Sequence, residues 1–179
     1  MTNGRHENRS RRAVRARHAG FTVIELMVAL AVLAILVALA VPNFNDASLS
    51  ARLNGFANSL VAAAQVARSE AIKRNETIRL CASSGGATPT CDAAEWEEGW
   101  IVVTDDDRVL QHQQALPSEF KVTEAGGVDV LSFPGTVVGA TTAILTVCRS
   151  TPVGSEERVV TVSGTGSAYV SITTAGTCS

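Results

Sequence analysis

Twenty-one residues, 21–41, form the longest apolar stretch of the chain, interrupted only by Thr22 and Glu25. A helix needs about 20 such residues to cross a bilayer, so the length predicts a membrane-spanning helix. A helix also satisfies its own backbone N–H and C=O groups in lipid, where no water replaces them. Pro42 follows the run; lacking an N–H and clashing with the preceding turn, it predicts a kink, as a bend or local unwinding. Beyond it Leu49, Leu53, Phe56, Leu60, Ala64, Ala67 and Ala71 recur at intervals of three and four. That stripe is the mark of an amphipathic helix packed on a domain. Gly55 costs it up to about 1 kcal/mol without ending it. The pattern therefore predicts one long helix over about 22–74, half in membrane and half against a sheet.

The period then changes. Short runs rich in Val, Ile and Thr predict strands at 77–82, 99–104, 108–113, 120–123, 130–133, 143–148, 157–163 and 168–173. Ser84-Gly85-Gly86, Asp105-Asp106-Asp107, Gly126-Gly127, Pro134-Gly135 and Gly164-Thr165-Gly166 separate them as turns. Residues 104–108 and 163–167 read as hairpin tips. The expected class is α+β: a long N-terminal helix packed on an antiparallel β-sheet domain. Three segments follow, a basic leader over 1–20, a transmembrane helix over 21–42 and a globular domain over 43–179 that includes the second half of the helix.

Charge sharpens this division. The formal net charge of −2 conceals six arginines and one acid within 1–20, so the remainder carries nine basic and sixteen acidic residues, a net of −7. Bulk attraction to phosphate backbones, which follows Lys/Arg clusters, is disfavoured for so acidic a domain. All four cysteines, Cys81, Cys91, Cys148 and Cys178, follow the apolar run. An even count in a small exported domain predicts disulfides, with three connectivities open to four cysteines. Pairing Cys81 with Cys91 and Cys148 with Cys178 is favoured, because each pair closes a loop that otherwise frays. Zinc fits poorly, since no C-x₂-C pair occurs and only His112 lies outside the leader. Disulfides place the domain outside the cytoplasm.

A basic segment before an apolar run fits a secretory signal, a plain membrane anchor or a processed filament precursor. Ala38-Leu39-Ala40 is an A-x-A site of the secretory kind, but the run is longer than such signals and contains Glu25. An anchor fits the length, with the arginines left on the cytoplasmic side. An isolated charge in hydrocarbon costs about 2.5 kcal/mol or more, so Glu25 requires a partner. Gly20-Phe21-Thr22-Val23-Ile24-Glu25-Leu26 resembles the type III signal of type IV prepilins and type II secretion pseudopilins. The resemblance implies processing by a prepilin peptidase between Gly20 and Phe21, with methylation of Phe21 as the new amino terminus. It implies that Glu25 pairs with the terminal amine of a neighbouring subunit, and that Pro42 is the proline that kinks the helix in many pilins.

Within that family, 67–75 and the succession Leu80-Cys81-Ala82-Ser83, Cys91, Trp96-Glu97-Glu98-Gly99-Trp100-Ile101-Val102-Val103 and Asp105 resemble the FimT/GspH-type minor pilins and pseudopilins. The likeness covers most of 20–179, and 115–142 adds little to it. It implies a pilin-like fold and a minor type IV pilin acting in pilus biogenesis and assembly initiation, or the minor pseudopilin of a type II secretion system. Partners implied are other major and minor pilins or pseudopilins, the prepilin peptidase and methylase, the inner-membrane assembly platform with its ATPase, and inner-membrane lipid. The expected location is the bacterial inner membrane, single-pass with a periplasmic C-terminal domain, and then the pilus or pseudopilus. Some FimT-like proteins bind DNA through a Gly-Arg-x-Arg loop. The corresponding place here reads Gly166-Ser167-Ala168-Tyr169, without either arginine, so direct DNA binding is disfavoured and Arg149 and Arg158 are scattered candidates.

Enzymatic motifs are missing from the sequence: there is no G-x-S-x-G, H-E-x-x-H or P-loop, and no cofactor is expected. His112 stands without a local partner and reads as solvated. Gly164-Thr165-Gly166 is a turn rather than a dinucleotide fingerprint. Asp105, Asp106 and Asp107, with Glu95, Glu97 and Glu98, invite calcium, but their spacing is not that of an EF-hand loop and hydrated acidic turns are commoner. Trp96 and Trp100 are expected to be one core residue and one loop anchor.

Overall fold

The computed structural model describes residues 20–86, 89–92, 94–150 and 156–176, with the side chains of 40–43 excepted. The chain divides into two compact units at Asn43 and Phe44, each described by itself. One helix, α1 (Val23–Arg74), contributes to both. Eight strands follow among the described residues: β1 (Ile78–Ala82), β2 (Trp100–Val103), β3 (Val109–Gln113), β4 (Phe120–Glu124), β5 (Val130–Phe133), β6 (Ala143–Arg149), β7 (Glu157–Val162) and β8 (Ala168–Thr173). A 3-10 turn, Trp96–Glu98, precedes β2.

The strands form two four-stranded antiparallel sheets, ordered β3-β2-β1-β5 and β4-β6-β7-β8. Alternation explains how each is covered. In the first sheet Ile78, Leu80, Trp100, Val102, Leu131 and Phe133 point inward and are buried with α1 residues in one cluster. The intervening Cys81, Ile101 and Val103 point outward, where Cys91, Val109 and Val130 pack over them as a second, smaller cluster. In the second sheet Phe120, Val122, Leu145, Val147, Val160 and Val162 face the same main core. The edge-on contact of Phe56 and Phe120, with ring centroids 4.9 Å apart, joins helix to sheet.

The second half of α1 meets both sheets through Leu53, Ala57, Leu60, Ala63, Ala64, Ala67 and Ala71, all buried. Alanines suit this position because a small side chain lets the helix backbone approach the strands closely. Among the described residues the fully buried hydrophobic side chains all lie between Leu53 and Val162, so the unit from Phe44 onward carries its own core. The helix ends as Asn75 turns into the left-handed region at φ 54°, with the Glu76 N–H donating to Ala71 O at 3.3 Å. Lys73 and Arg74 in the last turn both pair with Glu70 and suit the negative end of the helix. Gly135 abuts this cap: a Cβ there would lie 2.8 Å from the Asn75 Cα, which fixes the β5–β6 loop beside the helix end.

Both tryptophans are core residues. Trp100 is buried on β2, and Trp96 is buried on the 3-10 turn, where its Nε1–H donates to Val128 O at 3.3 Å and so anchors the loop as well.

Candidate functional site

Local chemistry sets the start of α1. A Cβ built on Gly20 meets nothing within 4 Å, so the chain's own packing does not demand glycine there. Thr22 caps the helix: its Oγ1 accepts the Glu25 N–H at 3.3 Å, and its carbonyl accepts the Leu26 N–H at 3.1 Å. A side-chain cap of this kind is worth about 1 kcal/mol. Threonine followed three residues later by glutamate is the spacing of a capping box, a signal that points to Thr22 from sequence and that the motif reading passed over. Glu25 sits in the first helical turn, where the positive end of the helix dipole favours a carboxylate.

Around that acid the surface is apolar. Every large hydrophobic residue from Phe21 to Leu39 is at least half exposed, and the candidate span of α1 has a mean hydropathy of 2.9 with none of it buried. At about 1.5 Å per residue, twenty such residues match a hydrocarbon core about 30 Å thick. The arrangement is a helix dressed for lipid or for other helices, with one exposed carboxylate close to its start. Pro42 falls inside the span of α1, and its side chain lies outside the described residues, as does the basic leader.

The three cysteines among the described residues are oxidised. Cys81 and Cys91 form a disulfide with a Cα–Cα distance of 5.5 Å. Cys148 is disulfide-bonded too, while its expected partner Cys178 lies outside the described residues. The Cys81–Cys91 loop is braced by Asp92, whose carboxylate accepts the Ser84 hydroxyl at 2.7 Å and the Ser84 and Ala94 backbone N–H groups. These bonds, that of the Ser84 hydroxyl foremost, hold the Asp92 carboxyl below its ordinary value, against some loss of hydration.

Five of the candidate nucleic-acid and metal groups, Arg149, Arg158, Asp106, Asp107 and Glu97, are engaged elsewhere. The Arg158 guanidinium is buried, donating to Asn54 Oδ1 of α1 at 2.5 Å and to Glu156 Oε2 at 3.0 Å. Arg149 pairs with Asp46 at 3.3 Å. Both arginines therefore tie the second sheet to α1. In the β2–β3 hairpin Asp107 accepts from Arg79 at 2.5 Å, and Asp106 accepts the Thr104 hydroxyl. Glu97 Oε2 accepts the Val122 N–H at 3.4 Å. Among the described residues no group of three His, Cys, Asp or Glu side chains has metal-holding geometry. His112 is exposed on β3.

Comparison with known proteins places these features in a family. Residues 57–166 match the model of the family described as type II transport protein GspH. Residues 15–41 match the prokaryotic N-terminal methylation motif, which spans Gly20, Phe21 and Glu25. The fold is similar to two crystal forms of the type IV minor pilin FimU of Pseudomonas aeruginosa strain PAO1. TM-scores are 0.52 and 0.51 at 21% and 20% identity, covering 66% and 69% of this chain and 91% of the other in each case. At that identity the likeness is one of fold. No curated protein matches the chain.

Proposed function

The chain belongs to the family of the type II transport protein GspH, and from that premise we propose that it is a minor pilin, a structural subunit that helps initiate assembly of a type IV pilus. The supporting observation is Glu25: a carboxylate in the first turn of α1, whose stretch up to Leu39 is otherwise apolar and exposed, five residues past a glycine that packing does not require. A prepilin peptidase cuts after Gly20 and methylates Phe21. The apolar rod then waits in the inner membrane, with its acidic domain in the periplasm and its new amino terminus on the cytoplasmic side, where the arginine-rich leader had oriented the chain before cleavage.

Assembly in this reading is packing and electrostatics rather than catalysis. The Glu25 carboxylate meets the Phe21 amine of a neighbouring pilin, so that two charges costly in hydrocarbon neutralise each other. The apolar residues pass from lipid into a bundle of helices, and Pro42 bends or locally unwinds its own helix there. The platform protein and its ATPase supply the work. Glu25→Ala leaves the neighbour's amine unpaired, so the variant accumulates in the membrane, folded and oxidised, but fails to enter filaments. Wild-type incorporation of that variant into sheared filaments would refute the pairing.

A second reading keeps the architecture and changes the machine: a minor pseudopilin of a type II secretion system, favoured by the family's own description as a type II transport protein. Deleting the gene separates the two, by loss of surface pili in one case and of secreted enzymes in the other. DNA uptake through direct binding ranks below both. In the β7–β8 hairpin Ser167 and Ala168 stand where a basic loop would be needed.

A further inference from the structure

The second sheet has an edge that differs from its other one. β4 at one edge carries Lys121 and Glu124, whereas β8 reads Ala168-Tyr169-Val170-Ser171-Ile172-Thr173, with no charge and no proline. Exposed edges are normally blunted by lysine, proline or a bulge, because unpaired backbone groups invite another strand. β8 pairs with β7 in regular register from Ala168 to Thr173 and with no other strand among the described residues. The hairpin closes through the Ser163 N–H donating to Ser167 O at 2.9 Å. Antiparallel alternation from that closure turns the N–H and C=O groups of Ala168, Val170 and Ile172 outward.

Beside this edge runs a groove of about 320 Å³, walled by Gln65, Arg68, Ser69 and Ile72 of α1 and by Ser167 and Ala168. Gly166 turns the hairpin at φ 73° and lies against the Arg68 stem, where a Cβ would come within 3.3 Å of Cδ. The Arg68 guanidinium donates to the Ser167 hydroxyl at 2.9 Å and meets no carboxylate among the described residues. The arrangement offers a ladder of backbone groups, a slot for side chains on one face of an added strand, and one cation paired only to a neutral hydroxyl. Strand addition uses these parts: main-chain bonds for affinity and a pocket beside them for specificity.

We infer that β8 accepts an extended strand from the globular domain of a different filament subunit, in antiparallel register, with an Asp or Glu of that strand entering the groove to pair with Arg68. A second copy of this chain does not fit: two β8 strands bring no acid to the arginine, and Glu124 on the β4 edge is already taken by the Gly126, Val128 and Ile144 N–H groups. The choice of a sister subunit rests on the assembly reading above. The site is separate from Glu25, so the test uses the unit from Phe44 onward, which carries its own core.

The purified domain is mixed in turn with the soluble domains of the subunits encoded beside it, and binding is followed by calorimetry and amide hydrogen exchange. One of them should protect the Ala168, Val170 and Ile172 amides. Ile172→Pro removes an outward N–H without breaking the β7 ladder, and should abolish binding while leaving the thermal midpoint nearly unchanged. Arg68→Glu, which gives up the Ser167 bond but none of the β7–β8 ladder, should weaken binding about tenfold or more. Exchanging the partner's acid for lysine should restore it. The inference is overturned if no sister domain protects β8, if both variants bind normally, or if β8 is protected by self-association. Duplex DNA binding that Arg68→Glu removes and Ile172→Pro retains would equally overturn it. None of these failures touches the Glu25 pairing.

Discussion

The Cys81–Cys91 bridge should be the main brace on the outer face of the first sheet, and its removal has a calculable cost. The bridge spans a sequence separation of 10. Loop-closure entropy for so short a loop gives a stabilisation of about 2.7 kcal/mol, within the usual range for a native disulfide. Replacing both cysteines in the domain from Phe44 onward, as Cys81→Ala with Cys91→Ala, avoids a stray thiol attacking the Cys148 bridge. The loop then lifts more readily from Ile101, Val103, Val109 and Val130, the small cluster that Cys91 helps to cover. For a domain of this size about 3 kcal/mol lowers the thermal midpoint by about 10 °C. Calorimetry of the oxidised protein measures the shift, and hydrogen exchange locates it. Amides of β1 and β2 should exchange faster while β6 and β7 keep their protection. A midpoint lowered by less than about 3 °C, or protection lost equally in both sheets, would refute the reasoning.

Two further predictions concern the same domain. Ala67 is fully buried where α1 crosses the strands, so Ala67→Leu should overpack the interface and destabilise by about 1–3 kcal/mol in urea unfolding, whereas the exposed Gln65→Leu should change little. Asp92 has a carboxyl held below its ordinary value, so its contribution is fully present above that value and is lost as pH falls through the lowered one. Asp92→Asn should therefore flatten the acid limb of the stability–pH curve, and an unchanged limb would show that Asp92 does not brace the loop.

Local signals made most of the elements legible. Alternation and turn residues placed all eight strands within one or two residues of their observed bounds, and the helix, expected over about 22–74, spans Val23–Arg74. What could not be read was long-range. Nothing local tells β5 to return beside β1, or β4 to pair with β6, so the division into two sheets was hidden. That division also widened the buried face of α1: Ala57 and Ala63 lie off the expected stripe yet are buried, because the helix meets two sheets. Arg158, a polar residue on a strand, reads as solvated until Asn54 of α1 is brought beside it. The N-terminal segment was the reverse case. Gly20, Phe21 and Glu25 stood in register in the sequence, and the structure added what Thr22 does for the helix start.

The most direct measurement of the central claim is mass spectrometry of the amino terminus of the chain recovered from membranes and from sheared filaments. The account predicts a polypeptide beginning at Phe21 and carrying one added methyl group, with Glu25 retained in the mature rod. A chain beginning at Val41, after cleavage at the A-x-A site, or one still beginning at Met1 in filaments, would contradict it.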